Sequence, residues 1–231
     1  MQEFTKGDKM VHLVQVNYSL LPVIHRFGIR LGFGNRTVQE LCKLYGVNTD
    51  FFLAIVNTFH NKNFFPETQL LSFSPLLIVD YLKKTHAYYV SFSLPQIEDL
   101  IHRLLLSTPQ QNSEMKMIET FYLAYKRKLL EHFKEEEETV FPYVETLVLR
   151  PSDIQNHNFD ANYEKEHEHV DFELDDLKNL ILKYLVPEYD ELVCNKLMEE
   201  IYRFEKDIRD HSRMEDAILM PQVAHLLKVV K

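Results

Sequence analysis

The sequence predicts an all-α protein, an up-down-up-down four-helix bundle preceded by a small helical N-terminal domain. Three observations lead there. Glycine is scarce, at five in 231 residues, and tryptophan is absent, while long stretches carry apolar residues at helical spacing without the dense turn signals of a sheet protein. After residue 73 four such stretches follow one another with short connections, which favours antiparallel neighbours. Finally, a segment that places a histidine and a glutamate one turn apart occurs twice: His132-x-x-x-Glu136, followed by Phe141-Pro142, and His211-x-x-x-Glu215, followed by Met220-Pro221. Residues at i and i+4 share a helix face, so each segment directs an imidazole and a carboxylate toward one point.

The expected domains are 1–62, a small helical unit; 63–73, a linker; and 74–231, the bundle. In the first, helices are expected at Met10 to Val16, Leu20 to Phe27, Val38 to Tyr45 and Phe51 to Phe59. Thr37-x-x-Glu40 has the form of a capping box, and Asn48-Thr49-Asp50 supplies oxygens for the free amides of the next helix. The stretch Gly28 to Arg36 holds three of the five glycines and reads as a turn, because it lacks the lysine of a phosphate-binding loop and any preceding strand. Around Pro66 the helical period lapses, which marks the linker. The bundle helices are expected at about 74–106, with a break at Pro95, then 114–147, 161–185 and 188–228, the last two divided by Pro187.

Alternating steps of four and three place one histidine in each apolar seam. Helix one gives Val79, Leu82, His86 and Val90, with Tyr89 beside the seam. Helix two gives Ile118, Tyr122, Tyr125, Leu129, His132 and Glu136. Helix three gives Tyr163, His167, Val170, Leu174, Leu177, Ile181 and Tyr184, and helix four gives Leu197, Ile201, Phe204, Ile208, His211, Glu215 and Ile218. At 1.5 Å rise per residue, His86 and His132 lie roughly 30 Å from the loop joining their helices, and His167 and His211 roughly 30 Å from the Pro187 turn. All four histidines therefore fall in one layer with Glu136 and Glu215. Burying such charges without a partner costs several kcal/mol each, and a metal offsets that cost. His169 is the alternative on helix three, off the seam beside Phe172 and Asp176. The acidic run Glu135 to Glu138 reads as a solvated face from which only Glu136 points inward; His102 lies about 24 Å along helix one from His86, too far to join the same centre, and His12, His25, His60, His157 and His225 have no partner pattern.

Composition narrows the chemistry. A net charge of -9, from 26 Lys+Arg against 35 Asp+Glu, excludes the basic excess of a general nucleic-acid binder and suits a cation site. Cys42 and Cys194 are far apart, so neither a disulfide framework nor a thiolate site is indicated. No apolar run is long enough to cross a membrane, and the polar N-terminus leads to the expectation of a cytoplasmic protein. Metal ligands His86, His132, Glu136, His167, His211 and Glu215 give two metal ions two nitrogens and two bridging oxygens apiece, with room for a bridging oxide or hydroxide. Such mixed ligation with open positions suits non-haem iron, with manganese and zinc as alternatives.

His86, His132-x-x-x-Glu136 with Phe141-Pro142, Glu166-His167 and His211-x-x-x-Glu215 with Met220-Pro221 resemble the hemerythrin-like di-iron domain of the Repair of Iron Centers family. The resemblance runs from about residue 74 to the end, and residues 10–60 resemble that family's small N-terminal domain. Many members carry a Cys-Cys pair where this chain has Gly32-Phe33-Gly34. Oxygen-carrying hemerythrins place a second histidine where this chain has Asp171, and use an aspartate spaced like Asp216; Glu215 fits the repair family better. The resemblance implies a stress protein that repairs iron-sulfur clusters damaged by nitric oxide or peroxide, releasing iron from a labile di-iron centre to damaged or apo iron-sulfur proteins. It leaves two alternatives: a nitric oxide or peroxide reductase at the same centre, and a sensor or carrier of oxygen or nitric oxide. Neither nucleic acid nor membrane is an expected partner, and self-association as a homodimer stays open.

Overall fold

A computed structural model describes residues 3–61, 63–107, 113–153, 164–185 and 188–230, with 113–115, 153, 164–173 and 229–230 described by backbone alone. Among the described residues the regular elements are helices, with an isolated antiparallel bridge between Lys9 and Thr37. By contacts the chain divides into two compact units: the chain up to Thr85 with Ala217–Val229, and His86–Asp216.

In the first unit lie α1 (Met10–Val16), α2 (Leu21–Arg26), α3 (Val38–Leu44), α4 (Thr49–His60) and α5 (Glu67–Leu70). The expected caps form. The Thr37 hydroxyl accepts the Glu40 amide at 3.2 Å and the Glu40 carboxylate accepts the Thr37 amide at 2.7 Å, which holds the Glu40 carboxyl below its ordinary range. Asn48 caps α4 by accepting the Phe51 amide at 3.0 Å. The glycine stretch is a turn, and Gly32 at φ 93° adopts a conformation that side chains resist. Phe52, Ile55 and Val56 of α4 are fully buried, and Phe27 stacks on Tyr81 with ring centroids 5.2 Å apart.

The long helices follow as α6 (Pro75–Tyr88), α7 (Leu94–Ser107), α8 (Ser113–Glu135), α9 (Phe141–Leu149), α10 (Glu164–Tyr184), α11 (Glu191–Met214) and α12 (Met220–Val230). They form the four arms that the apolar period predicts, with α6 running into α7, α8 into α9 and α11 into α12. Each of these junctions is a five-residue π-helical turn, at Tyr89–Ser93, Glu136–Val140 and Glu215–Leu219. Each is followed at its second residue by a proline: Pro95, Pro142 and Pro221. The pattern has a physical cause. Inside a helix a proline ring collides with the carbonyl four residues back and offers no N–H. A wider turn lets the chain pass, and the preceding amides reach five residues back, Leu94 to the Tyr89 carbonyl and Phe141 to the Glu136 carbonyl.

Within the second unit α7 packs on α8 and α11, and α10 packs on α8 and α11, closing a four-helix ring. Its apolar core includes Leu100, Leu104, Tyr122, Leu129, Leu177, Leu197, Ile201 and Phe204. Polar ties fix neighbours to one another. The Tyr122 hydroxyl donates to the Leu94 carbonyl at 2.6 Å, and Lys126 bonds Glu98. Lys178 of α10 reaches Glu205 of α11 and Asp175, both at 2.6 Å, and Arg209 meets Glu205 at 2.7 Å. Burial alone would lower the Lys178 pKa, but the two carboxylates raise it above its ordinary value.

The seam departs from expectation at two positions. Val90 is 45% exposed and Tyr89 takes the inward place, because a step of three from His86 continues the buried face of Ile78, Val79, Leu82 and His86, whereas a step of four leaves it. Tyr184 is 59% exposed at the end of α10, where the core no longer continues. Tyr163 lies outside the described residues. Among the described residues no helix is long and apolar enough to cross a membrane.

Candidate metal centre

Within the second unit the sequence repeat brings four side chains to one point. His86 near the end of α6, Glu136 at the start of the second π turn, His211 on α11 and Glu215 at the start of the third π turn are all buried, and their ligand atoms lie within 4.8 Å of one another. The two His-x-x-x-Glu pairs thus converge from different arms. His86 Nε2 is 3.0 Å from His211 Nε2 and 3.2 Å from Glu136 Oε2, and His211 Nε2 is 3.0 Å from Glu215 Oε1. His132 Nε2 stands 3.4 Å from Glu136 Oε1, with a tenth of its side chain exposed, at the edge of the cluster. The side chains of His167 and of its alternative His169 lie outside the described residues.

These spacings fit a bound cation. Nitrogen and oxygen ligands at about 2.1 Å from a metal, at angles near 90–110°, lie about 3.0–3.4 Å from each other. The donor set is oxygen and nitrogen only. Cys194 is on α11, 17 residues before His211, roughly 25 Å along the helix, and Cys42 is a buried thiol whose pKa burial pushes up to about 11.

Electrostatics point the same way. Burial by itself would lower the His86 pKa, yet bonds to Glu136 and Glu137 raise it to about 9, with the nearby Glu215 charge adding to the effect. The carboxylates demand positive charge at this point, and a proton on His86 competes with a metal for the same ring.

An apolar shell encloses the cluster. Phe133 stacks on the His86 ring at 4.1 Å and 19°, and Phe141 lies 5.6 Å away at 25°. Tyr89 meets His211 edge-on at 5.8 Å. Of these, only Tyr89 was on or beside the expected seam. Phe133 escaped because it follows His132 directly, off a strict four-three count, and Phe141 because the count ended at Glu136. Glu137 was assigned to the solvated face, yet its Oε1 is 3.1 Å from His86 Nδ1. One signal in the sequence was the proline nine or ten residues after His86, His132 and His211, which forecasts a phase shift beside the site.

No curated protein matches the chain. The family model of the hemerythrin HHE cation-binding domain, however, matches residues 77–223, a span that contains all four convergent side chains and both His-x-x-x-Glu segments, and the chain therefore belongs to that family.

Proposed function

We propose that this protein is a di-iron member of the Repair of Iron Centers type, which restores iron-sulfur clusters damaged by nitric oxide or oxidative stress by donating iron to them. The observation that carries this reading is the buried quartet of His86, Glu136, His211 and Glu215, which offers imidazole and carboxylate but no thiolate. His132 and His167 would complete the ligand set, so that four histidines and two carboxylates would hold the two ions. Bound iron supplies a redox-active cation whose hold on oxygen and nitrogen ligands changes with oxidation state. The chain's own part is to bind and to shield: Glu136 and Glu215 neutralise the charge, the histidines set direction, and Phe133, Phe141 and Tyr89 keep water from the ring faces. Cytoplasmic location, and damaged or apo iron-sulfur proteins as recipients, belong to the same proposal.

A second reading, reduction of nitric oxide or peroxide at the same centre, draws support from that apolar shell, which suits small uncharged molecules. The experiment that separates the two mixes iron-loaded protein with an apo iron-sulfur protein and follows cluster absorption and protein-bound iron together. Donation predicts cluster growth matched by iron loss. Rapid consumption of nitric oxide over many turnovers with iron retained would replace donation by reductase activity, and tight reversible gas binding with neither would make the protein a sensor or carrier.

A further inference from the structure

The His86 ring is addressed at both nitrogens. Its Nε2 faces Glu136 and His211, while Nδ1 faces Glu137 Oε1 at 3.1 Å. Two consecutive glutamates thus reach opposite ends of one imidazole. In a regular α-helix successive side chains diverge by about 100°. Glu136 and Glu137 open the π turn Glu136–Val140, where more residues share each turn and that angle narrows. The environments of the two carboxylates differ sharply. Glu136 is fully buried, whereas the Glu137 side chain is 46% exposed and still bonds a ring that is 1% exposed. Glu138, next in the chain, is 66% exposed and lies 3.9 Å from Lys134, on the solvated face where all of the acidic run but Glu136 was expected.

We propose that Glu137 is a positioning residue of the centre: its carboxylate accepts the Nδ1–H of His86, holds the ring in the plane set by Phe133, and leaves Nε2 as the nitrogen directed at the ligand cluster. A histidine so held needs no reorientation to bind, and the carboxylate makes its free nitrogen a stronger donor. Because Glu137 reaches solvent, it acts from the rim and touches no bound cation. This rests on the reading of the quartet as a metal site, so the test carries one measurement that does not depend on metal.

Three variants decide it: Glu137→Ala, Glu137→Gln and, as control, Glu138→Ala. Cobalt(II) titration of the metal-free protein, followed by visible absorption, is expected to give unchanged stoichiometry in all three. Affinity should fall about 10- to 100-fold in Glu137→Ala, the usual range for loss of such an outer partner, and less in Glu137→Gln, whose amide oxygen still accepts the Nδ1–H. Glu138→Ala should match the wild type. In parallel, nitrogen-15 spectra of the metal-free protein should show a slowly exchanging His86 Nδ1 proton that persists in Glu137→Gln and disappears in Glu137→Ala. Unchanged cobalt affinity in Glu137→Ala, or an Nδ1 proton equally protected in that variant, would overturn the assignment. Failure of the wild type itself to take up cobalt would count against the metal site, and the Nδ1 proton would still decide the role of Glu137.

Discussion

The double substitution His211→Leu with Glu215→Leu is expected to abolish cation binding while leaving the metal-free protein as stable as the wild type or more so. His211 and Glu215 are 2% and 1% exposed, and they face each other at 3.0 Å beside a second buried carboxylate. Replacing a buried charged pair by apolar side chains of similar size is often neutral or stabilising by about 1–4 kcal/mol, because desolvation exceeds the attraction regained. Removing Glu215 alone should do the reverse, costing about 3–5 kcal/mol by stranding the polar partners. With metal the order inverts. A ligand at about a thousand times its Kd stabilises the native state by about 4 kcal/mol, and only the wild type can gain that. Thermal melts of wild type and double variant, with and without iron(II) or cobalt(II), read all four numbers. A double variant that melts far below the metal-free wild type would mean that the cluster is a structural network rather than a site held ready for a cation.

Phe133→Ala should produce the largest loss from an apolar change near the centre. The ring is 3% exposed, belongs to the bundle core, stacks on His86 at 4.1 Å and lies 5.9 Å from Tyr89. Truncating a buried phenylalanine costs about 3–5 kcal/mol through lost burial and the cavity left behind. Here the cavity opens against a ligand ring, so the same change should weaken cation affinity. Phe133→Leu fills most of the volume and should recover most of the stability while recovering less of the affinity, since stacking needs a flat partner. Equilibrium urea unfolding and cobalt titration on both variants separate the two effects; equal recovery of both by leucine would show that Phe133 only fills space.

Much of this arrangement is legible in the chain because two periodicities coincide. Apolar residues at steps of three and four define the four arms, and the His-x-x-x-Glu repeat places His211 and Glu215 on the same face as Phe204 and Ile208, which are buried as that period requires. Local chemistry also reads directly, as in the Thr37–Glu40 box and the Asn48 cap. What escapes is whatever depends on a change of period. A constant 3.6-residue turn sends Glu137 outward; the π turn that opens at Glu136 puts it on His86 instead, while Tyr89, three residues after His86, keeps to the buried face that the step of four to Val90 leaves. The cause is written in the sequence as Leu94-Pro95, Phe141-Pro142 and Met220-Pro221. A proline, though, reads as a kink or a stop unless its recurrence nine or ten residues after His86, His132 and His211 is noticed.

The most direct measurement is metal content per chain with an absorption spectrum, on protein reconstituted with iron and on the His132→Ala, His211→Ala double variant. Two irons per wild-type chain, with near-ultraviolet charge-transfer bands that vanish in the variant, is the predicted result. Wild-type protein that folds fully yet holds no iron after reconstitution would contradict the di-iron centre and leave the bundle as an interaction module.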